Sequence, residues 1–401
     1  MNKLLFIVLI FFGLGATAQG TYAINGTVRD EKGATVPGAT VFITNSKYIQ
    51  SANGEGKFSF SSLGSGTYQV VVKLIGFEPG VKDITVNNEP VNITVVLKES
   101  NTILNSVTIN SKPDPNREKY LAWFIKDFIG ETVNSRQCKL ANPDVVRFHF
   151  DKDRNDLTAT AADFIIIENK ALGYKIKYLL HDFEIDFKNS VGFYSGYPSF
   201  EDMQGSESEK KRWEANRKVA YLSSGRHFFR SVMSNTADKE GFIVYKQIDD
   251  PVLLESIMLE KKTPARFPMM YRKADSVKAY ATVKVPDINT LFSNDNKDFK
   301  TFRTERKIVG KDTLDKESLI IIYIGQPESD LFTRFGKPIK VPIKLPYEHQ
   351  VSQLQLYTNE IMIDNNGVLT PDRGYKYNGY WAWQRIGDLT PFDYFGSNNQ
   401  Q

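Results

Sequence analysis

Between Tyr22 and Leu97 apolar and polar residues alternate in short runs. Ile24, Gly26 and Val28 occupy alternate positions, as do Val41 and Ile43, and Phe58 and Phe60. The same rhythm returns in Tyr68, Val70 and Val72, and again in Val91, Ile93, Val95 and Leu97. Period-two alternation over runs this short predicts strands with one buried face. Pro37-Gly38, Asn53-Gly54 and Gly64-Ser65-Gly66 fall between the runs, where turns need a fixed φ or a residue tolerant of positive φ. About six or seven strands without helical spacing predict a sandwich, because two sheets must cover each other's apolar faces.

The pattern changes after Pro113. Leu121, Phe124, Ile125, Phe128 and Ile129 recur at helical spacing, with Gly130 at the end of that face. Alternation then resumes in Val146–Phe150, Leu157–Ala161, Tyr174–Tyr178 and Phe183–Phe187. A helical stretch is expected from about Glu207 to Asn235, broken at Ser223-Ser224-Gly225. Further strands are expected around 277–285, 319–324, 353–357 and 361–363, the last leading into an Asn365-Asn366-Gly367 turn. Asn294–Asp298 is the most linker-like stretch. The expected fold is multi-domain, an all-β Ig-like sandwich followed by a β-rich α+β domain.

At the start of the chain, Lys3 precedes an apolar run from Leu4 to Gly15, and Ala16-Thr17-Ala18 gives a small-x-small cleavage pattern. The run is shorter than the roughly 20 residues of a spanning helix, so a signal peptide over 1–18 is expected. No cysteine stands at the cleavage point for a lipid anchor. The division that follows is 1–18 signal peptide, 19–99 sandwich, 100–113 linker and 114–401 α+β domain, with no transmembrane span.

Gly26-Thr27-Val28-Arg29-Asp30, Gly33 and Val36-Pro37-Gly38-Ala39-Thr40-Val41 resemble the opening of the carboxypeptidase-regulatory-like domain. Gly56–Phe60, Leu63, Gly66-Thr67-Tyr68 and Gly76-Phe77 resemble its continuation. The resemblance implies a transthyretin-like, seven-stranded, non-catalytic sandwich, classed with carbohydrate-binding-like folds and common in exported and outer-membrane proteins of Gram-negative bacteria. It implies no peptidase activity, since a fold does not by itself carry a function. The remainder resembles uncharacterised exported proteins that carry the same first domain. The shared features are Asn142-Pro143, Ile167–Tyr174, Ser195-Gly196-Tyr197-Pro198 and Gly379-Tyr380-Trp381-Ala382-Trp383.

Composition adds exclusions. The net charge of +4 on 401 residues gives no reason to expect a nucleic-acid partner. One cysteine, Cys138, leaves no intrachain disulfide and no multi-cysteine zinc site. No cofactor or metal is expected. His181-x-x-Glu184 imitates a zinc pair, but on an alternating strand residues three apart face opposite ways, and His181 is expected beside Phe183 on the sheet face. Asp151-x-Asp153-x-Asn155 imitates half a calcium loop, but Asp156 and Ala162 replace its glycine and its bidentate glutamate, so a hairpin turn is expected.

Two binding candidates remain. From Lys210 to Arg230 there are seven basic residues and a single acid, Glu214. The run is expected to form a solvated helix face, and Lys210, Lys211, Arg212 and Arg217 are its candidate contact for lipid phosphates or an acidic glycan. Tyr380, Trp381 and Trp383 lie in a C-terminal aromatic cluster that could stack on sugar rings, while packing into the core would need the same residues. The functional expectation is an exported envelope binding or structural protein without catalytic activity, its partner an envelope protein or a glycan. The alternative is an exported hydrolase acting on carbohydrate or peptide through carboxylates that no spacing singles out.

Overall fold

The computed structural model describes residues 21–100, 114–248, 269–273, 276–294, 298–304, 318–339 and 349–396. The expected signal peptide, nearly all of the expected linker and the centre of the Asn294–Asp298 stretch lie outside the described residues.

The first body is a sandwich of seven strands: β1 (Tyr22–Asp30), β2 (Thr40–Ile43), β3 (Ile49–Ser51), β4 (Lys57–Leu63), β5 (Gly66–Lys73), β6 (Gly80–Val86) and β7 (Val91–Leu97). One sheet has the order β4-β1-β7 and the other β3-β2-β5-β6. β1 pairs antiparallel with β4 and parallel with β7. The alternating residues meet between the sheets, where Ile24, Val28, Val41, Ile43, Val70, Val72 and Leu97 are fully buried. The sandwich and its alternation are as the sequence predicts.

The second body holds helix α1 (Arg117–Phe128) against a sheet of β8 (Cys138–Leu140), β9 (Val146–Asp151), β10 (Asp156–Ala161), β11 (Ile165–Asn169), β12 (Tyr174–Asp186) and β13 (Val191–Asp202). Its order is β8-β11-β12-β10-β9, with β13 also on β12. Phe124 and Phe128 of α1 enter a core with Ile167, Ile176, Phe183 and Phe200. The two runs read as separate strands at 174–178 and 183–187 are one long strand, β12. It continues because a bulge between Leu180 and Asp182 absorbs the irregular residue. That residue is His181, so the histidine is exposed and does not share the buried face with Phe183 as expected.

Two helices follow, α2 (Glu207–Leu222) and α3 (Gly225–Met233). Ser206 opens α2 with a reciprocal capping box to Glu209, and the Ser224 hydroxyl caps α3 by accepting from the His227 amide. The break falls where the serine pair predicts it.

The third body comprises β14 (Phe242–Ile248), β15 (Met269–Lys273), β16 (Ser276–Lys284), β17 (Phe292–Asn294), β18 (Phe299–Arg303) and β19 (Ser318–Pro327). Helix α4 (Asp330–Phe335) follows, then β20 (His349–Leu356), β21 (Glu360–Asp364), β22 (Leu369–Thr370), β23 (Tyr375–Gly379) and the short helix α5 (Tyr380–Trp383). The sheets β15-β16-β14-β19-β20-β23 and β17-β18-β21-β22 close on Phe228 and Phe229 of α3.

The first two bodies are docked. Phe42 of β2 and Val71 of β5 point away from the sandwich core, yet both are fully buried against Leu179. Phe164 and Tyr197 complete this contact. The turn after β2 bonds across the junction: the Asn45 amide donates to Pro198 O at 2.6 Å and the Phe200 amide to Ser46 O at 2.8 Å.

Candidate functional site

The aromatic candidates lie inward. Trp381 is 5% exposed, packed on Phe228, Phe229 and Tyr377, and its indole N–H donates to Ser223 O at 3.1 Å. Tyr380 is buried against Phe332, and the half-buried Trp383 meets the same ring edge-on. Gly379 turns the chain into α5 at φ 72°, where a Cβ would stand 2.4 Å from Val351 O. As placed, Trp381 and Tyr380 offer no open ring face to a sugar, because the α3 aromatics and α4 cover them.

The basic run divides by depth. Lys210, Lys211 and Arg212 are exposed on the first turns of α2, where Lys210 pairs with Glu207 at 2.8 Å. Arg217 is half-buried, stacked 3.8 Å over Tyr174, and donates to Leu172 O at 2.7 Å and to Asp202 at 3.0 Å. Trp213 and Asn216 make equivalent bonds to Lys170 O and Ala171 O. Consecutive carbonyls of the β11–β12 turn are thus capped by one face of α2, at the i, i+3, i+4 spacing of a helix. Gly173 makes this approach possible, since at φ 67° its Cβ would stand 2.1 Å from the Trp213 ring. Arg226, half-buried, and Arg230, buried, hold the chain's last described segment from α3. Arg217, Arg226 and Arg230 therefore serve internal bonding, and the surface charge of the run rests on its N-terminal part.

Other motifs resolve into local structure. Asp151 Oδ1 accepts the amides of Asp153 and Arg154 at 2.9 and 3.0 Å, and Asn155 turns at φ 55°, making the expected hairpin turn. Those amide bonds, the Arg154 amide foremost, hold the Asp151 carboxyl below its usual range. Exposed His181 lies by Tyr197, with ring centroids 6.2 Å apart.

Sequence reasoning did not single out two acid arrangements, one on a buried histidine and one itself buried. His227 is 3% exposed, with Nδ1 2.8 Å from Leu222 O and Nε2 2.6 Å from the Glu240 carboxylate. Burial raises the Glu240 carboxyl, but bonds from His227 and Thr236 outweigh it and the net shift is downward. Asp388 is 8% exposed, accepts from Asn134 Nδ2 at 2.8 Å, and has its Oδ2 buried without a hydrogen-bond partner. Burial pushes its carboxyl up to about 6, partly restrained by hydrogen bonds from Thr132 and Asn134. No local spacing marks Asp388, since Asn134 lies more than 250 positions away.

On the sandwich, an open trough of about 710 Å³ lies over the sheet β4-β1-β7, with Gln50 and Ser51 of β3 and Asn53 at its side. The strand registers set its floor: Asn25 stands between Ser59 and Asn92, and Thr27 between Lys57 and Thr94. These are the polar partners of the alternation that sends Ile24, Gly26 and Val28 inward. Ser59 Oγ donates to Asn25 Oδ1 at 2.7 Å, which leaves the Asn25 amide N–H₂ directed elsewhere. The lining mixes amide and hydroxyl side chains with the apolar Phe58 and Ile93, and Lys57 is its single charge. Such a surface can hydrogen-bond an uncharged polyhydroxyl or main-chain ligand.

Among the described residues no helix is long and apolar enough to cross a membrane, and no three His, Cys, Asp or Glu residues gather as a metal site. No curated protein matches this chain. Among solved structures, it is similar to the shaft pilin SpaA from Lactobacillus rhamnosus GG at 14% identity, over 20% of this chain and 48% of that one, with TM-score 0.18. It is similar to GBS52, the minor pilin in Streptococcus agalactiae, at 14% identity over 23% and 48% of the two chains, TM-score 0.18. BcpA, the major pilin subunit of Bacillus cereus, gives 8% identity over 89% and 67%, TM-score 0.19. The chain spans about half the length of the first two pilins. Likenesses at these scores carry no functional argument. The sandwich itself is identified: residues 24–109 match the family model of the CarboxypepD_reg-like domain, and this part of the chain is a domain of that family.

Proposed function

We propose that this chain is an exported protein of a Gram-negative envelope, periplasmic or outer-membrane-associated, which binds a glycan or an envelope protein and performs no catalysis. The observation that carries this reading is the unequal use of the sandwich's two outer faces. One is consumed by docking through Phe42 and Val71, and the other is left as the open trough over Asn25, Thr27, Asn92 and Thr94. Amide and hydroxyl groups beside the Phe58 and Ile93 side chains suit a glycan, whose hydroxyls both donate and accept and whose C–H faces are apolar. The division into signal peptide, sandwich, linker at 100–113 and C-terminal region belongs to this proposal, as does the kinship of the C-terminal region with exported proteins carrying the same domain. The exposed Lys210, Lys211 and Arg212 remain the place for a peripheral membrane contact.

Glycan-array and envelope-extract capture with the mature protein test the reading, with Asn92→Ala/Thr94→Ala in parallel. Glycan capture lost in a variant of unchanged melting temperature supports the trough. Capture that survives in the variant removes the trough from the proposal. Capture of proteins alone eliminates the glycan.

A further inference from the structure

The last described residues pass through all three cores in succession. Trp381 belongs to the core of the third body, Ile386 to that of the second, and Phe392 to that of the sandwich. Phe392 packs on Tyr68 with ring centroids 5.6 Å apart, and its amide donates to Asn45 O at 2.6 Å. Asn45 is also the residue whose amide reaches Pro198, and its Oδ1 accepts from Arg226 at 3.1 Å. One turn of the sandwich is therefore held simultaneously by β13, by α3 and by the C-terminal segment.

The segment is gripped chiefly by its backbone. Arg226 donates to Thr390 O, and Arg230 donates to Phe392 O and, at 2.9 Å, to Tyr394 O. Tyr394 O–H donates to Glu214 of α2 at 2.8 Å, and Phe395, about half exposed, lies 4.4 Å from the Arg230 guanidinium. The seated arrangement has a standing cost. Two like charges, four positions apart on α3, are largely withdrawn from water with carbonyls as their hydrogen-bond partners, and Arg230 Nε is buried without a partner; the Asp364 and Asp393 carboxylates offset part of this cost. Burial, together with Arg230, lowers the Arg226 guanidinium to about 10. Seating is favoured by the aromatic contacts and by the Asp393–Lys47 pair at 3.8 Å, and opposed by the withdrawal of two guanidiniums from water.

We propose that Leu389–Phe395 is a releasable strap: seated, it locks the sandwich onto the second body, and unseated, it frees that junction without unfolding either core. The strap is then a two-state element through which an event at the C-terminal segment reaches the sandwich. Neither Phe392 nor Asn45 lines the trough, so the strap is a feature separate from the binding surface proposed above.

Hydrogen exchange on the full chain tests this with Phe392→Ala. The Asn45 and Phe200 amides, whose bonds cross the junction, should exchange faster by about a hundredfold, since a buried aromatic contact is removed from the closed state. Amides of 165–178 in the second core should keep their rates. Faster exchange confined to 389–396 overturns the proposal, as does uniform acceleration over the whole chain. If Phe392→Ala fails to fold by circular dichroism, Tyr394→Phe deletes only the bond to Glu214 and should give the same regional pattern at smaller amplitude. An unchanged junction in that variant, with the segment itself accelerated, would also overturn it.

Discussion

Replacing Asp388 by asparagine should change how stability depends on pH. The carboxyl sits in a buried turn, and no donor reaches Oδ2, so ionisation places a charge where little compensates it. Its value rises from 3.8 to about 6 on this account. A shift of about two units, at roughly 1.4 kcal/mol each, corresponds to ~3 kcal/mol between the two protonation states. The folded chain holds this proton to higher pH than the unfolded chain does. The contribution is therefore fully present below about 3.9, declines as pH rises through about 6, and is lost above that. Asp388→Asn does not ionise and lacks this decline, while its Oδ1 can still accept from Asn134. Thermal melts at pH 4 and pH 8, followed by tryptophan fluorescence, should show the variant gaining on the native chain by ~3 kcal/mol between the two conditions. For a unit of about 150–250 residues that is roughly 6–12 °C. Other carboxylates titrate in both proteins and cancel in the comparison. A melting difference that stays constant from pH 4 to pH 8 would refute the argument.

Other perturbations probe separate features. Phe42→Ala should cost about 3–5 kcal/mol if the docked junction is as tight as its zero exposure indicates; urea unfolding and small-angle scattering would show a destabilised and more extended molecule, and unchanged scattering would count against docking. Trp381→Ala should destabilise the third body by a similar ~3–5 kcal/mol, measured by chemical denaturation; a normal melt would reopen the stacking role for this residue. Glu240→Gln should lower the melting temperature at pH 7 and have a diminishing effect as pH falls below about 4, because a carboxyl held below its usual range stabilises only while ionised. Lys210→Glu/Lys211→Glu/Arg212→Glu should leave the melt within about 0.5 kcal/mol, as exposed substitutions do. If the exposed run contacts membranes, this triple variant should abolish salt-sensitive binding to anionic vesicles, and equal binding by both proteins would end that reading.

Much of the architecture was legible from local pattern. The sandwich strands follow from the alternation beginning at Ile24, and the α2–α3 break from Ser223-Ser224-Gly225. The Asp151–Asn155 turn follows from its small polar residues. Where reading stopped short, a signal was sometimes present. Val41-Phe42-Ile43 and Val70-Val71-Val72 are unbroken apolar runs, the mark of strands covered on both faces. Attention to alternation alone passes over Phe42 and Val71, the residues that dock the sandwich. At His181 no such signal existed, because a bulge depends on how two strands register rather than on either one.

The sequence by itself determined the secondary structure of the sandwich, the helix pair and the family of the first domain. Each depends on backbone preference and side-chain periodicity over a few neighbouring residues. Only the tertiary structure decided the uses of the basic and aromatic residues. Arg217 could equally have faced solvent or the carbonyls of a turn some 45 positions away. Trp381 could have met a ligand or the Phe228–Phe229 pair, and Phe392 a solvent-exposed tail or the sandwich core. An arginine or an aromatic ring has the same chemistry in either setting. Which groups share its surroundings is settled by long-range packing, to which local periodicity is blind.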